Sequence, residues 1–271
     1  MKNLLVRSLT GIVFVAVIIA GLFFGQYTFA LLFLLILIGA LHEFFSITGA
    51  TGFNPHRGLA YLTGALMFGL SFLIASERIS PLWFFAIFPF ILLTFVSELF
   101  ANKPTPLQNV AITMAGLIYA AVPLSLSNYL VFSKFDGMYS PKLFLALLIL
   151  IWVYDSGAYL FGVSFGRHRL FERVSPKKSW EGAIGGLIVA VAVSQVMPSF
   201  TAGIDAWHWA ILSVLIVVAS TLGDLTESLI KRQFGVKDSG NIFPGHGGIL
   251  DRFDSLLFAV PVFVCYLEIF V

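Results

Sequence analysis

The sequence predicts an all-α, polytopic integral membrane protein of about nine transmembrane helices with its N-terminus in the cytoplasm. Three observations carry that fold class. Of the 271 residues, 59% are hydrophobic and only 11% charged, against about 25% charged in an ordinary soluble domain. The mean hydropathy is +0.95. Apolar runs long enough to cross a bilayer, roughly 20 residues each, recur from one end of the chain to the other. A soluble fold of this length could not bury so much apolar surface. The net charge of +2 is too balanced for a nucleic-acid binder, and the single cysteine, Cys265, excludes an intrachain disulfide or a cysteine-based metal cluster. No cleavable signal peptide is expected, because the first apolar run continues past any small-residue cleavage site.

The elements follow in chain order. Residues 8–41 carry no charge, but Gly25-Gln26-Tyr27 divides them, which predicts spans over 8–25 and 28–46. Further spans are expected over 58–76, 80–98, 109–132, 142–165, 182–203, 207–231 and 255–271. Lipid offers no water to free backbone groups, so each should be helical. Alternation from a cytoplasmic N-terminus puts Arg78, Lys134 and Lys142 outside and the other thirteen of the 16 basic residues inside. That is the asymmetry the positive-inside rule requires, and it leaves the C-terminus outside. The expected organisation is an N-terminal transmembrane scaffold over 1–140, about five helices, and a catalytic half over 141–271. The cytoplasmic segments 166–181 and 232–254 hold most of the polar chemistry.

Five stretches can carry chemistry. Asp251 and Asp254 in Asp251-Arg252-Phe253-Asp254 share a helical face. Two like charges so close call for a cation between them, and oxygen-only ligands suit Mg²⁺. A solvated helix start, where acids are also favoured, fits the same residues. Just before them, Pro244-Gly245-His246-Gly247-Gly248 is a glycine-rich turn whose N–H groups could approach a phosphate at a helix N-terminus. An ordinary loop fits too. His246 is open to binding phosphate, relaying a proton or capping the turn.

Within the eighth span, Asp224, Glu227 and Ser228 lie on one face, and Lys231 continues it. Ionisable groups in a span are costly and are functional candidates by default. Asp224 has no basic residue within one turn and is the stronger metal ligand, whereas Glu227 and Lys231 are equally suited to pairing with each other. Asp155 lies inside the sixth span, open to binding a polar ligand or pairing in the bundle, and Gly157, Gly162 and Gly166 suggest close helix approach beside it. Ser175-Pro176-Lys177-Lys178-Ser179-Trp180-Glu181-Gly182 places two lysines and two hydroxyls before the next span. It suits phosphates, or a basic anchor with an interfacial tryptophan. Acids for a metal and basic groups for phosphates at a membrane surface describe phosphoryl or nucleotidyl transfer onto a lipid. No Walker-type loop points to ATP-driven transport.

The run Ser228-Leu229-Ile230-Lys231-Arg232, then Lys237-Asp238-Ser239-Gly240, then His246-Gly247-Gly248-Ile249-Leu250-Asp251-Arg252-Phe253-Asp254, resembles the signature of the phosphatidate cytidylyltransferases, or CDP-diacylglycerol synthases. Asp155 to Tyr159 and Ser175 to Gly182 resemble a second stretch of that family, with Ser179 where Thr is commoner. The resemblance implies the reaction CTP + phosphatidate → CDP-diacylglycerol + pyrophosphate, in phospholipid biosynthesis. It implies Mg²⁺ dependence with two cation sites, one of which could take a monovalent ion, held by Asp224, Asp251 and Asp254. Lys231 and His246 join these as expected catalytic residues. Lys177, Lys178, Ser179, Arg232, Lys237, Asp238, Gly247, Gly248, Asp155 and Ser228 are expected to bind substrate. The expected setting is the plasma (inner) membrane with the site facing the cytoplasm, CTP, phosphatidate and the bilayer as partners, and a homodimer as a compatible assembly. The Asp-Gly-x2-Ala-Arg pattern of the CDP-alcohol phosphotransferases is absent. So are the repeated halves with matched broken helices of a cation-coupled transporter.

Overall fold

The computed structural model describes residues 2–49, 52–133, 135, 138–243, 245 and 247–271, with the side chains of residues 2–8 excepted. His246 and Pro244 of the glycine turn, and Lys134, lie outside the described residues. The described chain is a multi-pass membrane protein. Eight helical segments are long and apolar enough to cross a bilayer, and Leu9–Phe23 adds a shorter apolar helix. The chain forms two compact units, Met1–Tyr129 with Gln233–Phe253, and Leu130–Arg232 with Asp254–Val271.

In the first unit, α1 (Lys2–Phe23) and α2 (Gln26–Gly49) are separated where Gly25 takes φ 121°, which breaks the charge-free run at the expected place. Helix α3 spans Arg57–Ala75. A 3₁₀ turn at Pro81–Ala86, capped by Ser80, leads into α4 (Ile87–Ala101). The fifth span is not one regular helix. It runs as α5 (Pro106–Gly116), a π-helical turn (Leu117–Ala121), α6 (Val122–Leu126) and α7 (Asn128–Val131). Pro123 offers no N–H and crowds the carbonyl four residues back, so the helix widens, and Val122 N–H reaches the carbonyl of Leu117 instead. The carbonyl of Ser125 is taken by the Ser71 hydroxyl at 2.5 Å and by Asn128 Nδ2 at 3.0 Å. A buried acid, Glu98 of α4, is held by His56 Nε2 at 2.8 Å and Asn109 Nδ2 at 3.2 Å, which ties the loop before α3 to α5.

In the second unit, α8 (Lys142–Phe165) is followed by an antiparallel hairpin of β1 (Arg169–Phe171) and β2 (Ser175–Ser179). The sequence reading did not foresee this hairpin. Ser179 then caps α9 (Trp180–Ser194), its Oγ accepting the Gly182 N–H at 3.2 Å. Helices α8 and α9 touch backbone to backbone. A Cβ at Gly186 would sit 2.7 Å from the Tyr154 carbonyl oxygen, and one at Gly182 would sit 2.6 Å from that of Ala158. The glycine spacing on α8 pointed to such an approach, and α9 answers it with its own glycines. The unit closes with α10 (Ala206–Gln233) and, from Asp254 on, α11 (Leu250–Phe270), joined by Trp209 against Phe263 and by His208 Nδ1 to the Tyr266 hydroxyl at 2.9 Å.

Residues 233–253 differ from the expected division at 140. They fold with the N-terminal helices and not with the half that was to contain them. The physical reason is an acid on α2, described next.

Candidate active site

The second unit brings three of the expected acids together. Asp224 stands on α10, Asp254 on α11 and Asp155 on α8. Asp254 lies within electrostatic reach of the other two and of Lys178. Close approach of α10 and α11 places them so: a Cβ at Gly223 would collide with the backbone carbonyl of Asp254 and lie 3.2 Å from Phe258 Cβ. Asp224 has no basic residue within one turn of its own helix, but it has a basic partner from outside it. Lys178 pairs with it, reaching in from β2. Helical periodicity does not link Asp224 to a partner that a separate hairpin delivers. Ser228 Oγ donates to Asp224 Oδ1 at 3.4 Å, and the hydroxyls of Tyr154 and Thr221 meet at 2.5 Å nearby.

Neighbouring lysines on β2 diverge, because alternate residues of a strand face opposite ways. Lys178 is half-buried at the acids and Lys177 is exposed. Lys231 pairs with the buried Glu227 one turn before it on α10, so of the two readings left open for these residues the internal pair is the one observed. Arg232, Lys237 and Asp238 are exposed. Ser179, expected to bind substrate, accepts the Gly182 N–H on its Oγ at the start of α9.

Asp251 is bound elsewhere. Its Oδ2 accepts the Gly248 N–H at 2.7 Å, the Ser239 N–H at 2.9 Å and the Ser239 hydroxyl at 3.0 Å, all within the first unit. At the end of the glycine turn the Gly248 N–H is taken by Asp251, and the two N–H groups that follow it also meet a carboxylate. Glu43 of α2 receives the Ile249 N–H at 2.8 Å on Oε1 and the Leu250 N–H at 2.9 Å on Oε2. Gly247 and Gly248 let these acids approach: a Cβ on Gly247 would strike the Asp251 carboxylate, and one on Gly248 would strike Glu43 and Ser239 Oγ. Gly247 also adopts φ 83°, which favours glycine.

Glu43 is the residue the sequence reading missed. Its signal was present: an acid inside the span 28–46, by the same criterion that singled out Asp224 and Asp155.

The cluster of Asp155, Asp224 and Asp254 is a donor set of hard oxygens, facing one lysine. Among the described residues no three His, Cys, Asp or Glu side chains form a ready-made metal cage. Mg²⁺ commonly takes one or two carboxylates and completes its shell with water and substrate phosphates. Asp224 and Asp254 fit that partial donor set.

A polytopic helical membrane protein with acids and a lysine gathered among its spans defines a class, and the family match specifies it. The chain belongs to the Cytidylyltransferase family, whose model matches residues 5–270. It is 44% identical over 156 residues to the phosphatidate cytidylyltransferase of Haemophilus influenzae, covering 56% of this chain and 53% of that protein. It is 44% identical over 135 residues to the phosphatidate cytidylyltransferase of Staphylococcus saprophyticus, covering 49% and 51%. With that of Staphylococcus aureus it shares 48% over 116 residues, covering 42% and 44%. The chain spans about half the length of the curated relatives it matches.

Proposed function

We propose that this chain is a phosphatidate cytidylyltransferase, converting CTP and phosphatidate to CDP-diacylglycerol and pyrophosphate at the cytoplasmic face of the plasma (inner) membrane. The observation that carries the reading is the meeting of Asp224 and Asp254 with Lys178 among membrane-spanning helices, in a chain that bears the family's signature. The names of the relatives supply cytidine and phosphatidate.

A phosphatidate phosphate oxygen attacks the α-phosphorus of CTP, and pyrophosphate departs from the opposite side. The attacking oxygen is already anionic, so little base catalysis is required. Positioning and charge neutralisation carry the rate. Lys178, held at the acids by Asp224, is preorganised to meet a phosphate oxygen. Asp224 and Asp254 would hold Mg²⁺, which when bound supplies charge neutralisation for the incoming and departing oxygens. Ser228 steadies one oxygen of Asp224. The N–H groups at 248–250 take no phosphate in this mechanism, since they are engaged by Asp251 and Glu43.

Purified full-length protein incubated with radiolabelled CTP in Mg²⁺ buffer should yield labelled CDP-diacylglycerol only when phosphatidate is present. Labelled pyrophosphate should exchange into CTP under the same requirement. Absence of product with both substrates, or turnover indifferent to phosphatidate, would overturn the reading.

A further inference from the structure

We infer that Glu43, on α2 of the N-terminal scaffold, is a positioning residue for the reaction: its carboxylate clasps the first N–H groups of α11 and thereby fixes the helix that presents the aspartates. The inference rests on the cytidylyltransferase reading for its catalytic consequence, and on geometry alone for the clasp.

A helix leaves its first N–H groups without partners inside the helix. Here Arg252 and Phe253 N–H turn back to the Ile249 carbonyl, so Ile249 stands at the cap position of α11. Its own side chain has no acceptor to give. Glu43 supplies one from another helix, taking the N–H groups of Ile249 and Leu250, one on each carboxylate oxygen. The third group, the Asp251 N–H, reaches Ser239 Oγ at 3.3 Å, and the Ser239 hydroxyl lies 2.8 Å from Glu43 Oε2. A negative charge at a helix N-terminus is also favoured by the helix dipole.

The acid is 3% exposed inside a span, where a carboxylate is costly unless its oxygens are satisfied. The surroundings are shaped to satisfy them. Gly240 and Gly248 leave room against the carboxylate that any Cβ would fill. Gly39, one turn before Glu43 on the same face of α2, leaves room for the Ile249 side chain. Phe253 closes the joint between Phe14 at 5.7 Å and Phe33 at 6.4 Å, centroid to centroid. Polar clasp and apolar staple together hold the first turn of α11. Asp254 follows one turn later on the same helix. A misplacement of about 1 Å at a reacting group can cost about 100-fold in rate, so a clasp of this kind acts on kcat.

The test uses Glu43→Gln, Glu43→Asp and a control, Leu37→Ala, which thins the apolar core of the same helix. Each is made in the full-length protein in detergent. Glu43→Gln keeps the shape but turns one acceptor into an NH₂ that opposes a donor. It should lower kcat about tenfold or more while the KM values for CTP and phosphatidate move less than threefold. Amide exchange at residues 248–251 should rise at least tenfold. Glu43→Asp, which keeps the charge, should restore part of kcat, and Leu37→Ala should lower thermal stability with kcat per folded molecule unchanged. Wild-type kcat in Glu43→Gln, unchanged exchange at 248–251, or a profile matching that of Leu37→Ala would overturn the inference. If the wild type itself turns over no CTP with phosphatidate, the reaction reading fails and the catalytic role falls with it. The exchange comparison still decides the clasp.

Discussion

The first turns of α11 carry two aspartates in opposite situations. Asp251 receives the N–H groups of Ser239 and Gly248 on Oδ2, with the Ser239 hydroxyl 3.0 Å from the same oxygen. Asp254 is offered one backbone N–H, from Ser255 at 2.6 Å, and faces the like charges of Asp224 and Asp155 with Lys178 beside them. Backbone donors hold the first aspartate, whereas like charges face the second. A carboxylate among carboxylates is eased by a cation. Identical side chains three residues apart on one helix thus meet different surroundings.

That contrast can be broken most sharply at Asp254. Asp254→Asn and Asp224→Asn should each remove several kcal/mol of transition-state stabilisation, about a thousandfold or more in turnover, with the protein still folded and monodisperse. Near-wild-type rates measured on purified variants would remove the ligand assignment. Asp251→Asn should also lose activity, by a smaller factor of about 10 to 100, and for a different reason. Amide exchange at Ser239 and Gly248 should accelerate in Asp251→Asn and stay unchanged in Asp254→Asn. Equal exchange in the two variants would erase the distinction.

The two lysines of β2 repeat the comparison at lower stakes. Lys178→Met should raise the KM for CTP about tenfold, in keeping with the loss of one charge-assisted contact. Lys177→Met, at an exposed position, should change it less than threefold. Equal effects would mean that the phosphates are met outside the Asp224 cluster. The smallest signal sought concerns sidedness. With the exposed Cys265 removed, single cysteines at the exposed Glu172 and Asp238 should resist an impermeant thiol reagent in intact cells and react after lysis. Labelling before lysis would place both loops on the other side of the membrane.

Much of this arrangement is written in the sequence because it depends on local composition. Apolar runs of bilayer length, broken by Gly25 and by polar loops, mark the spans, since any such run must bury its backbone in hydrogen bonds. Gly157 and Gly162 announced a close helix contact, as small side chains are what permit one. Asp224 and Asp155 were selectable individually, because a charge in a span is expensive wherever it lies, and Asp254 through its shared helical face with Asp251. The family signature from Ser228 to Asp254 was legible as a string.

What the string could not decide is which donors and acceptors meet. Ser239 and Glu43 are 196 positions apart, and Leu250 and Glu43 are 207 apart, so no window or helical period links them. The N–H groups at the end of the glycine turn could serve a phosphate or a carboxylate, and in the fold Asp251 takes that of Gly248 while Glu43 of α2 takes the two that follow it. Asp224 looked isolated until a hairpin brought Lys178 to it. Composition and periodicity fix where the chain enters lipid, since those are sums over neighbouring residues. Hydrogen bonds and ion pairs are short-ranged in space and indifferent to sequence distance, so their partners are decided only by the tertiary fold.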